Sequence, residues 1–181
     1  MWTAGDQWRI DSAPTIDIAS APQDSTLVLM RVGGVVPLVD GGVAVVNGSD
    51  RQVLVFGPSG QLDHRIGRRG SGPGDLSRPT DALRCGRDSI VVNDVTRVSI
   101  FESGGPHVRE WPIVPAVADG AVRLAGVEPD CSAFLLHARP ERLPPAGDVG
   151  IAQATLFWTR GPELPRDTIG TFEARRVVRR T

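Results

Sequence analysis

The most conspicuous candidate for chemistry is a glycine-rich run, Gly67-Arg-Arg-Gly-Ser-Gly-Pro-Gly-Asp-Leu-Ser-Arg-Pro79. Closely spaced glycines can bring backbone amides near a phosphate group. A dinucleotide-binding loop, however, lies between a strand and the N-terminus of a helix. Here Pro73 interrupts the run and a strand-like segment follows Pro79. We therefore interpret the run as a connector between two strands.

Two polar turns form a second candidate, because each has an Asn with an Arg four residues later and an Asp between them. Carboxylate and amide oxygens gathered in this way suit a hard cation such as Ca²⁺. The alternative is that the Asp and Asn residues cap turns while Arg51 and Arg97 tie neighbouring repeat units by charge-assisted bonds, and the repetition favours this scaffold role. With two arginines of the glycine-rich run, they make up the candidate binding residues: Asn47, Asp50, Arg51, Arg68, Arg69, Asn93, Asp94 and Arg97.

Other catalytic patterns are missing from the sequence. It has neither a Gly-x-Ser-x-Gly elbow nor a His-Glu-x-x-His helix, and no residue is assigned a catalytic role. His64, His107 and His137 are the only histidines, and we expect surface or turn roles for them rather than a shared metal. Cys85 and Cys131 are too few for a disulfide framework and do not form a Cys-x-x-Cys pair, so we expect two reduced thiols rather than a bridge.

Composition narrows the class of protein further. The 181 residues suggest one domain, and 21 Gly with 15 Pro argue against a helical bundle. Every basic residue is Arg, which removes Schiff-base lysine chemistry. The net charge of −1 gives no global attraction to nucleic acid, and no apolar run approaches the roughly 18 residues that span a bilayer. We expect a soluble chain with no nucleic-acid or membrane partner.

An internal repeat is the main signal in the sequence. The segment Asp40–Asn47 aligns with Arg87–Asn93 so that the apolar triplets and Asn47 with Asn93 coincide at a shift of 46, and Val53–Phe56 overlays Val98–Phe101 at a shift of 45. A third copy begins at Asp130, displaced by 90 from Asp40. A period of about 45 residues with β-branched runs is typical of a β-propeller blade.

Each copy is predicted to form four short antiparallel strands, since Val and Ile pack well on a pleated surface and Gly, Asp and Asn favour turns. The third copy is predicted to carry a surface loop over Ala138–Ala152. Additional strands are predicted near the start, at Trp8–Asp11, Thr15–Ile18 and Thr26–Met30. The predicted strands of the copies are Arg31–Val39, Val43–Asn47, Gln52–Phe56 and Gln61–Ile66; Thr80–Arg84, Ser89–Asn93, Arg97–Phe101 and His107–Trp111; and Ala121–Val127, Ala133–His137 and Ala154–Thr159.

The connector Gly67–Pro79 followed by Asp88–Phe101 resembles the NHL repeat of six-bladed β-propellers. The resemblance implies an all-β fold with a partial propeller of about three to four four-stranded antiparallel blades. We divide the chain into N-terminal strands at 1–30 that could complete another blade, blades at about 31–67, 79–113 and 121–172, and an Arg-rich end at 173–181. Because three blades are half of such a ring, the chain is interpreted as an N-terminal fragment of a longer propeller. Relatives of this kind are bacterial proteins of uncharacterised function, often exported to the periplasm or the extracellular space, which implies that the leader is absent here.

Two functions remain open at this point. The first is a non-catalytic binding or scaffold module whose rim loops meet a protein or small-molecule ligand, with no cofactor. The alternative is a lactonase-like hydrolase with Ca²⁺ in its central channel, as the resemblance implies. Among the predicted inner strands only Asp81 offers a carboxylate, which favours the binding module. We also expect the first and last blades to expose apolar faces and edges that promote self-association.

Overall fold

The computed structural model describes residues 10–18, 27–95, 97–113, 121–140, 149–159 and 167–178. This part of the chain forms twelve β-strands and contains no helix. It therefore also contains no helix that could cross a membrane. The strands are β1 (Val32–Pro37), β2 (Val43–Asn47), β3 (Gln52–Phe56), β4 (Leu62–Ile66), β5 (Asp81–Cys85), β6 (Ser89–Asn93), β7 (Arg97–Glu102), β8 (His107–Pro112), β9 (Ala121–Val127), β10 (Ala133–Pro140), β11 (Val149–Thr159) and β12 (Asp167–Val178).

The strands form three four-stranded antiparallel sheets, each built from four consecutive strands in chain order. Sheet 1 contains β1 to β4, sheet 2 contains β5 to β8, and sheet 3 contains β9 to β12. The first strands adjoin one another, with β1 next to β5 and β5 next to β9. The chain is therefore an all-β protein whose sheets form an open, partial propeller-like arrangement, and the expected fold class is confirmed.

The second and third strands of sheets 1 and 2 explain why the sheets must stack. All five residues of β2 are buried, and so are the last four of β6. A strand covered on both faces carries an unbroken apolar run instead of an alternating pattern, as Val43–Val46 and Ile90–Val92 do. Each sheet consequently needs a partner on either side.

Two apolar layers join the three sheets. Between sheets 1 and 2 lie Val46, Val92 and Phe101, and between sheets 2 and 3 lie Val91 and other buried residues that include Trp111 and Leu135. At the inner edge, a Cβ at Gly33 would come within 2.4 Å of the carbonyl oxygen of Thr80. Only glycine therefore allows β1 to approach this segment so closely.

The N-terminal residues contradict two of the predictions. Residues 10–18 and 27–30 contain no strand, so Thr15–Ile18 and the described parts of the other two predicted strands are not strands. Instead, side chains of this segment pack on the outer face of sheet 1, where they cover an apolar cluster. The face expected to meet water is thus buried. Because the segment lies across a sheet face, it has no strand edge to pair with. The contacts join Ile16, Ile18 and Leu27 to Val43, Val45, Leu54 and Phe56.

The equivalent core residues of sheets 1 and 2 are buried, but their packing partners differ between the two copies. Phe101 lies between two sheets, whereas the equivalent Phe56 lies between sheet 1 and the N-terminal segment. The segment therefore occupies the position that a preceding sheet would take.

Sheet 3 departs from the predicted loop. Strand β10 continues to Pro140 and pairs with β11 through Ala138↔Ala154, Arg139↔Gln153 and Pro140↔Ala152. The expected loop Ala138–Ala152 is thus replaced at both ends by a long hairpin, and residues 141–148 lie outside the described part. Pro140 can close the strand because the position at a strand end does not require its missing amide hydrogen. The Arg-rich end also continues the sheet, since the outermost strand β12 extends to Val178.

The two cysteines are joined, which contradicts the expectation of reduced thiols. Cys85, at the end of β5, forms a disulfide with Cys131, in the turn before β10, with their Cα atoms 5.1 Å apart. The sequence separation is 46 residues, one repeat length, so the two cysteines occupy neighbouring turns of adjacent sheets. The bond links sheet 2 to sheet 3 beside the apolar layer that both share.

We expect Phe101→Ala to lower the free energy of unfolding by about 3–5 kcal/mol, because it leaves a cavity between two sheets. Val108→Ala is the matched control, since Val108 is exposed on β8, and it should cost less than about 1 kcal/mol. Urea unfolding followed by tryptophan fluorescence measures both variants. Equal losses would show that Phe101 has no special place in the core.

Replacing both cysteines, as in Cys85→Ala with Cys131→Ala, should lower the free energy of unfolding by about 2–4 kcal/mol, since a bridge across 46 residues restricts the unfolded chain. The wild-type protein in dithiothreitol serves as control and should unfold at the same urea concentration as the variant. An oxidised wild type that unfolds with the variant would contradict the bridge.

Candidate functional site

The candidate residues lie on one rim, which we name the connector rim. It consists of the β2–β3 turn, the β6–β7 turn and the connector Gly67–Thr80, which joins β4 to β5. Contacts between the connector and the β6–β7 turn show that they share this side of the sheets. The glycine-rich run is followed by β5 and not by a helix, which agrees with its interpretation as a connector.

The two asparagines end the second strands of their sheets and are completely buried. The Nδ2 group of Asn47 donates to the carbonyl oxygen of Val28 at 2.9 Å, and its Oδ1 accepts from the amide of Met30 at 3.1 Å. These bonds hold residues 28–30 against the β2–β3 turn. A second bond from Nδ2 reaches the carboxylate of Asp50 at 2.8 Å.

Asn93 performs a related task between sheets 2 and 3. Its Nδ2 donates to the hydroxyl of Thr80 at 3.1 Å and to the carbonyl oxygen of Val122 at 2.8 Å. Since Val122 belongs to β9, the amide joins the inner strands of two sheets. Asn47 thus uses both its Nδ2 and Oδ1 atoms within the fold. Asn93 uses its Nδ2 group, and its buried Oδ1 has no hydrogen-bond partner among the described residues.

Asp94 is a fully buried carboxylate that fixes the end of the connector. It accepts hydrogen bonds from the amide of Ser77 at 2.9 Å, from the hydroxyl of Ser77 at 3.0 Å and from the amide of Arg78. The guanidinium of Arg97 lies 3.7 Å away. A buried charge is stable only when it is paired and hydrogen-bonded, and these donors meet that requirement.

Arg97 and Glu110 fix the middle of the connector to sheet 2. Arg97 donates to the carboxylate of Glu110 at 2.9 Å and to the carbonyl oxygens of Gly72 and Ser71, each at 3.2 Å. The other carboxylate oxygen of Glu110 accepts from the amide of Gly74 at 3.2 Å. Among the described residues, Arg97 therefore bonds to the connector and to Glu110 of its own sheet rather than to a neighbouring sheet.

Asp75 shapes the connector from within. Its carboxylate accepts from Arg68 Nε at 2.7 Å and from the amide of Gly72 at 2.9 Å. The bond from Arg68 and the bond from Gly72 both lower the pKa of Asp75. A Cβ at Gly70 would lie 2.2 Å from this carboxylate, so the turn closes around Asp75 only with glycine there.

The remaining candidates lie at the surface of the rim. Arg68, Arg69 and Asp50 are exposed and Arg51 is half-buried. Within the described residues, the side chains of Arg51 and Arg69 form no hydrogen bond or ion pair. The prediction that the rim binds a ligand consequently depends on these exposed residues rather than on the buried Asn47, Asn93 and Asp94.

Sequence reasoning missed Asp75, Ser77 and Glu110. The first two lie in the connector that the sequence singled out, but only the fold shows that they face Arg68 and Asp94. Glu110 could be found only from strand register, because its neighbour Ser99 on β7 places it close to Arg97.

The histidines have separate environments. His64 on β4 bonds to the carbonyl oxygen of Ser103 through Nε2 at 2.8 Å and to Asp63 through Nδ1 at 3.0 Å. His107 packs edge-on against Phe101 with ring centroids 5.4 Å apart, and its Nε2 lies 3.4 Å from Glu110. His137 lies within β10. No group of three or more His, Cys, Asp or Glu side chains in the described ranges is arranged to hold a metal ion.

The inner strands carry a single carboxylate, Asp81 at the start of β5. It accepts a hydrogen bond from the amide of Ala82 at 2.9 Å. Partial burial raises the pKa of Asp81 above its usual range. The hydrogen bond from Ala82 and the charge of Arg123 act in the opposite direction and lower the pKa. No other residue of the inner strands β1, β5 and β9 is acidic.

Asp94→Asn should destabilise the connector, because an amide nitrogen replaces one acceptor and faces the donors of Ser77 and Arg78. We expect a loss of about 2–4 kcal/mol in the free energy of unfolding. Trypsin should also cleave faster at the connector arginines of the folded variant. Asp88→Asn, an exposed carboxylate on another turn, is the control and should change neither. Unchanged cleavage and stability in the Asp94 variant would contradict this role.

Comparisons with known proteins bear on the fold. No family model and no curated protein matches the chain. Among solved structures it is similar to a "putative exported protein" of Bacteroides fragilis NCTC 9343, with a TM-score of 0.56 and 15% sequence identity. The match covers 84% of this chain and 40% of the other, so the chain spans less than half the length of that protein. At this identity the two proteins share a fold, and nothing about activity follows.

Proposed function

We propose that the chain is a non-catalytic binding or scaffold module that presents its connector rim to a protein or small-molecule ligand. The observation that carries this proposal is that the buried and the exposed polar residues of the rim differ in their contacts. The buried residues bond to the backbone of the connector and the inner strands, whereas, within the part of the chain that the structure describes, the side chains of the exposed arginines form no such bonds to the backbone. A rigid frame that presents charged side chains is well suited to recognition.

The frame is fixed at several points of the connector. Asp94 holds residues 77 and 78, Arg97 holds the carbonyls of residues 71 and 72, and Glu110 holds the amide of Gly74. A preorganised surface loses little conformational entropy when a ligand binds, which supports binding without large rearrangement.

The inner strands support a binding module over the hydrolase alternative. A cation-dependent hydrolase needs several convergent oxygen ligands. The described inner strands offer only Asp81, and we identify no observation that favours catalysis there.

We further propose that the resemblance to NHL-type propellers reflects descent from such a protein, and that this chain supplies three blades of a longer assembly. The greater length of the similar Bacteroides fragilis protein supports this proposal. So does the outer face of sheet 3, where Phe172 is 53% exposed and Phe134 is half-buried. Either further blades or a second copy would cover that face.

An oxidising location is also part of the proposal. The Cys85–Cys131 disulfide is the kind of bond that persists outside the cytosol, and the similar solved protein is named as exported. Both observations support export to the periplasm or the extracellular space.

An unbiased displayed-peptide library, selected on the full chain, tests the binding role. We expect enriched peptides to lose binding to the rim variant Arg69→Glu with Arg78→Glu. They should still bind the control Arg84→Glu with Arg87→Glu, which makes the same change in net charge at exposed positions of the β5–β6 hairpin. Enrichment of no rim-dependent peptide would contradict the proposal.

A further inference from the structure

The connector rim has an excess of positive charge at its surface. Its arginines come from the β2–β3 turn and from both ends of the connector. We add to them Arg31, the residue before β1, because it adjoins the rim. An added Cβ at Gly48 would lie 3.4 Å from the Cβ of Arg31 and 3.4 Å from the carbonyl oxygen of Pro79, which places these segments side by side. The arginines are Arg31, Arg51, Arg68, Arg69 and Arg78.

The two halves of the connector also meet. The amide of Leu76 donates to the carbonyl oxygen of Arg68 at 2.7 Å, and Arg69 forms a bridge with Leu76. Arg68 and Arg69 therefore lie beside the segment that leads into Arg78. The backbone segments that carry these arginines are therefore adjacent on the rim.

The acidic groups of this rim do not neutralise the surface. Asp94 is buried against Ser77 and Arg97, Glu110 is bonded to Arg97, and Asp75 is bonded to Arg68. Within the described part of the chain, Arg31, Arg51, Arg69 and Arg78 have no side-chain hydrogen bond or ion pair. Asp50 is the acidic side chain left exposed among them.

The turns at the other ends of the strands have the opposite character. These turns and the strand residues next to them carry Arg84 and Arg87, and Arg109 reaches the carbonyl oxygen of Asp130 at 3.1 Å. The acidic residues there are more numerous: Asp40, Asp63, Asp88, Glu102, Glu128 and Asp130. Among the described residues, the connector rim is thus richer in exposed arginine, and the opposite strand ends are richer in acidic side chains.

Apolar side chains adjoin the basic surface. Met30 and Val32 flank Arg31 in the chain, and Val28 and Val35 lie close by in sequence. These four side chains are 49–58% exposed. The segment is also held in place, because Asn47 bonds to the backbone of residues 28 and 30. The rim therefore offers guanidinium groups next to fixed apolar surface.

We propose that the connector rim binds an acidic peptide segment that also carries apolar side chains. This inference rests on the proposed function and names its ligand class. Guanidinium groups pair with carboxylates in bidentate geometry. The apolar side chains beside Arg31 would cover those of the peptide, whereas a polyphosphate has no apolar group to place there.

Fluorescence anisotropy with defined probes tests the proposal on the full, oxidised chain. The probe is a labelled peptide of repeated Glu-Glu-Leu triplets. Companion probes replace Leu by Ser or Glu by Lys, and inorganic polyphosphate is the competitor. We expect saturable binding of the Glu-Glu-Leu peptide, binding at least about fivefold weaker for the Ser peptide, and none for the Lys peptide. Raising NaCl from about 50 to about 500 mM should weaken binding strongly.

Charge-reversal variants locate the surface. Arg69→Glu with Arg78→Glu should weaken binding of the Glu-Glu-Leu peptide at least about tenfold. The control Arg84→Glu with Arg87→Glu should change binding less than about twofold, because the net charge changes equally but on the other rim. Unfolding in urea confirms that both variants are folded before binding is compared.

Three results would overturn the inference: no saturable binding of the Glu-Glu-Leu peptide, equal losses in the two variants, or polyphosphate that competes as strongly as the peptide itself. The displayed library separates this failure from failure of the proposed function. Rim-dependent peptides that are neutral or basic would leave the binding role intact and refute the acidic ligand. A library without rim-dependent peptides would refute both.

Discussion

Burial of the middle strands on both faces is the constraint on which the rest of the structure depends. A four-stranded sheet whose second strand carries an apolar run on both faces cannot stand alone in water, because burial contributes roughly 25 cal/mol per Å² of apolar area. Sheets 1 and 2 meet this requirement for each other, and sheet 3 meets it on the next side. The first sheet needs one more cover, which the N-terminal segment supplies through Ile16, Ile18 and Leu27.

Stacked sheets impose a second requirement on the chain, because it must cross from the outer strand of one sheet to the inner strand of the next. The connector Gly67–Thr80 makes this crossing without regular strand pairing. Its backbone groups therefore need side-chain partners. Asp94, Arg97 and Glu110 provide them from sheet 2. Asn93, Asp94 and Arg97, which suggested a binding site in the sequence, thereby have structural roles in the fold.

Much of the fold was predictable because local pattern and global packing agree. The bounds of Val43–Asn47, Gln52–Phe56, Ser89–Asn93 and Ala121–Val127 match the structure to the residue, since each apolar run stops at turn-forming residues. The N-terminal cover was not predictable, because alternating Ile16 and Ile18 indicate a strand whether or not an edge is free to pair.

The disulfide was missed for a different reason. Cysteine count and motif spacing indicated free thiols, but the separation of 46 residues equals the repeat period, which places Cys85 and Cys131 in equivalent turns of adjacent sheets. Compared with the repeat period, the spacing of the two cysteines could have predicted the disulfide. The role of Glu110 had no comparable signal, because it depends on the register between β7 and β8. The surface excess of arginine was equally hidden, since it appears only after buried acids are separated from exposed ones.

The disulfide also changes how the protein responds to a pulling force. It closes a covalent loop of 46 residues that contains most of sheet 2 and the first strand of sheet 3. A force applied to the chain ends passes through the sulfur atoms and bypasses this loop. At about 3.3–3.6 Å per extended residue, roughly 160 Å of chain is withheld from stretching while the bond is intact. Strands β6 to β8, whose residues hold the connector in place, are thus shielded from tension that would pull sheets 1 and 3 apart.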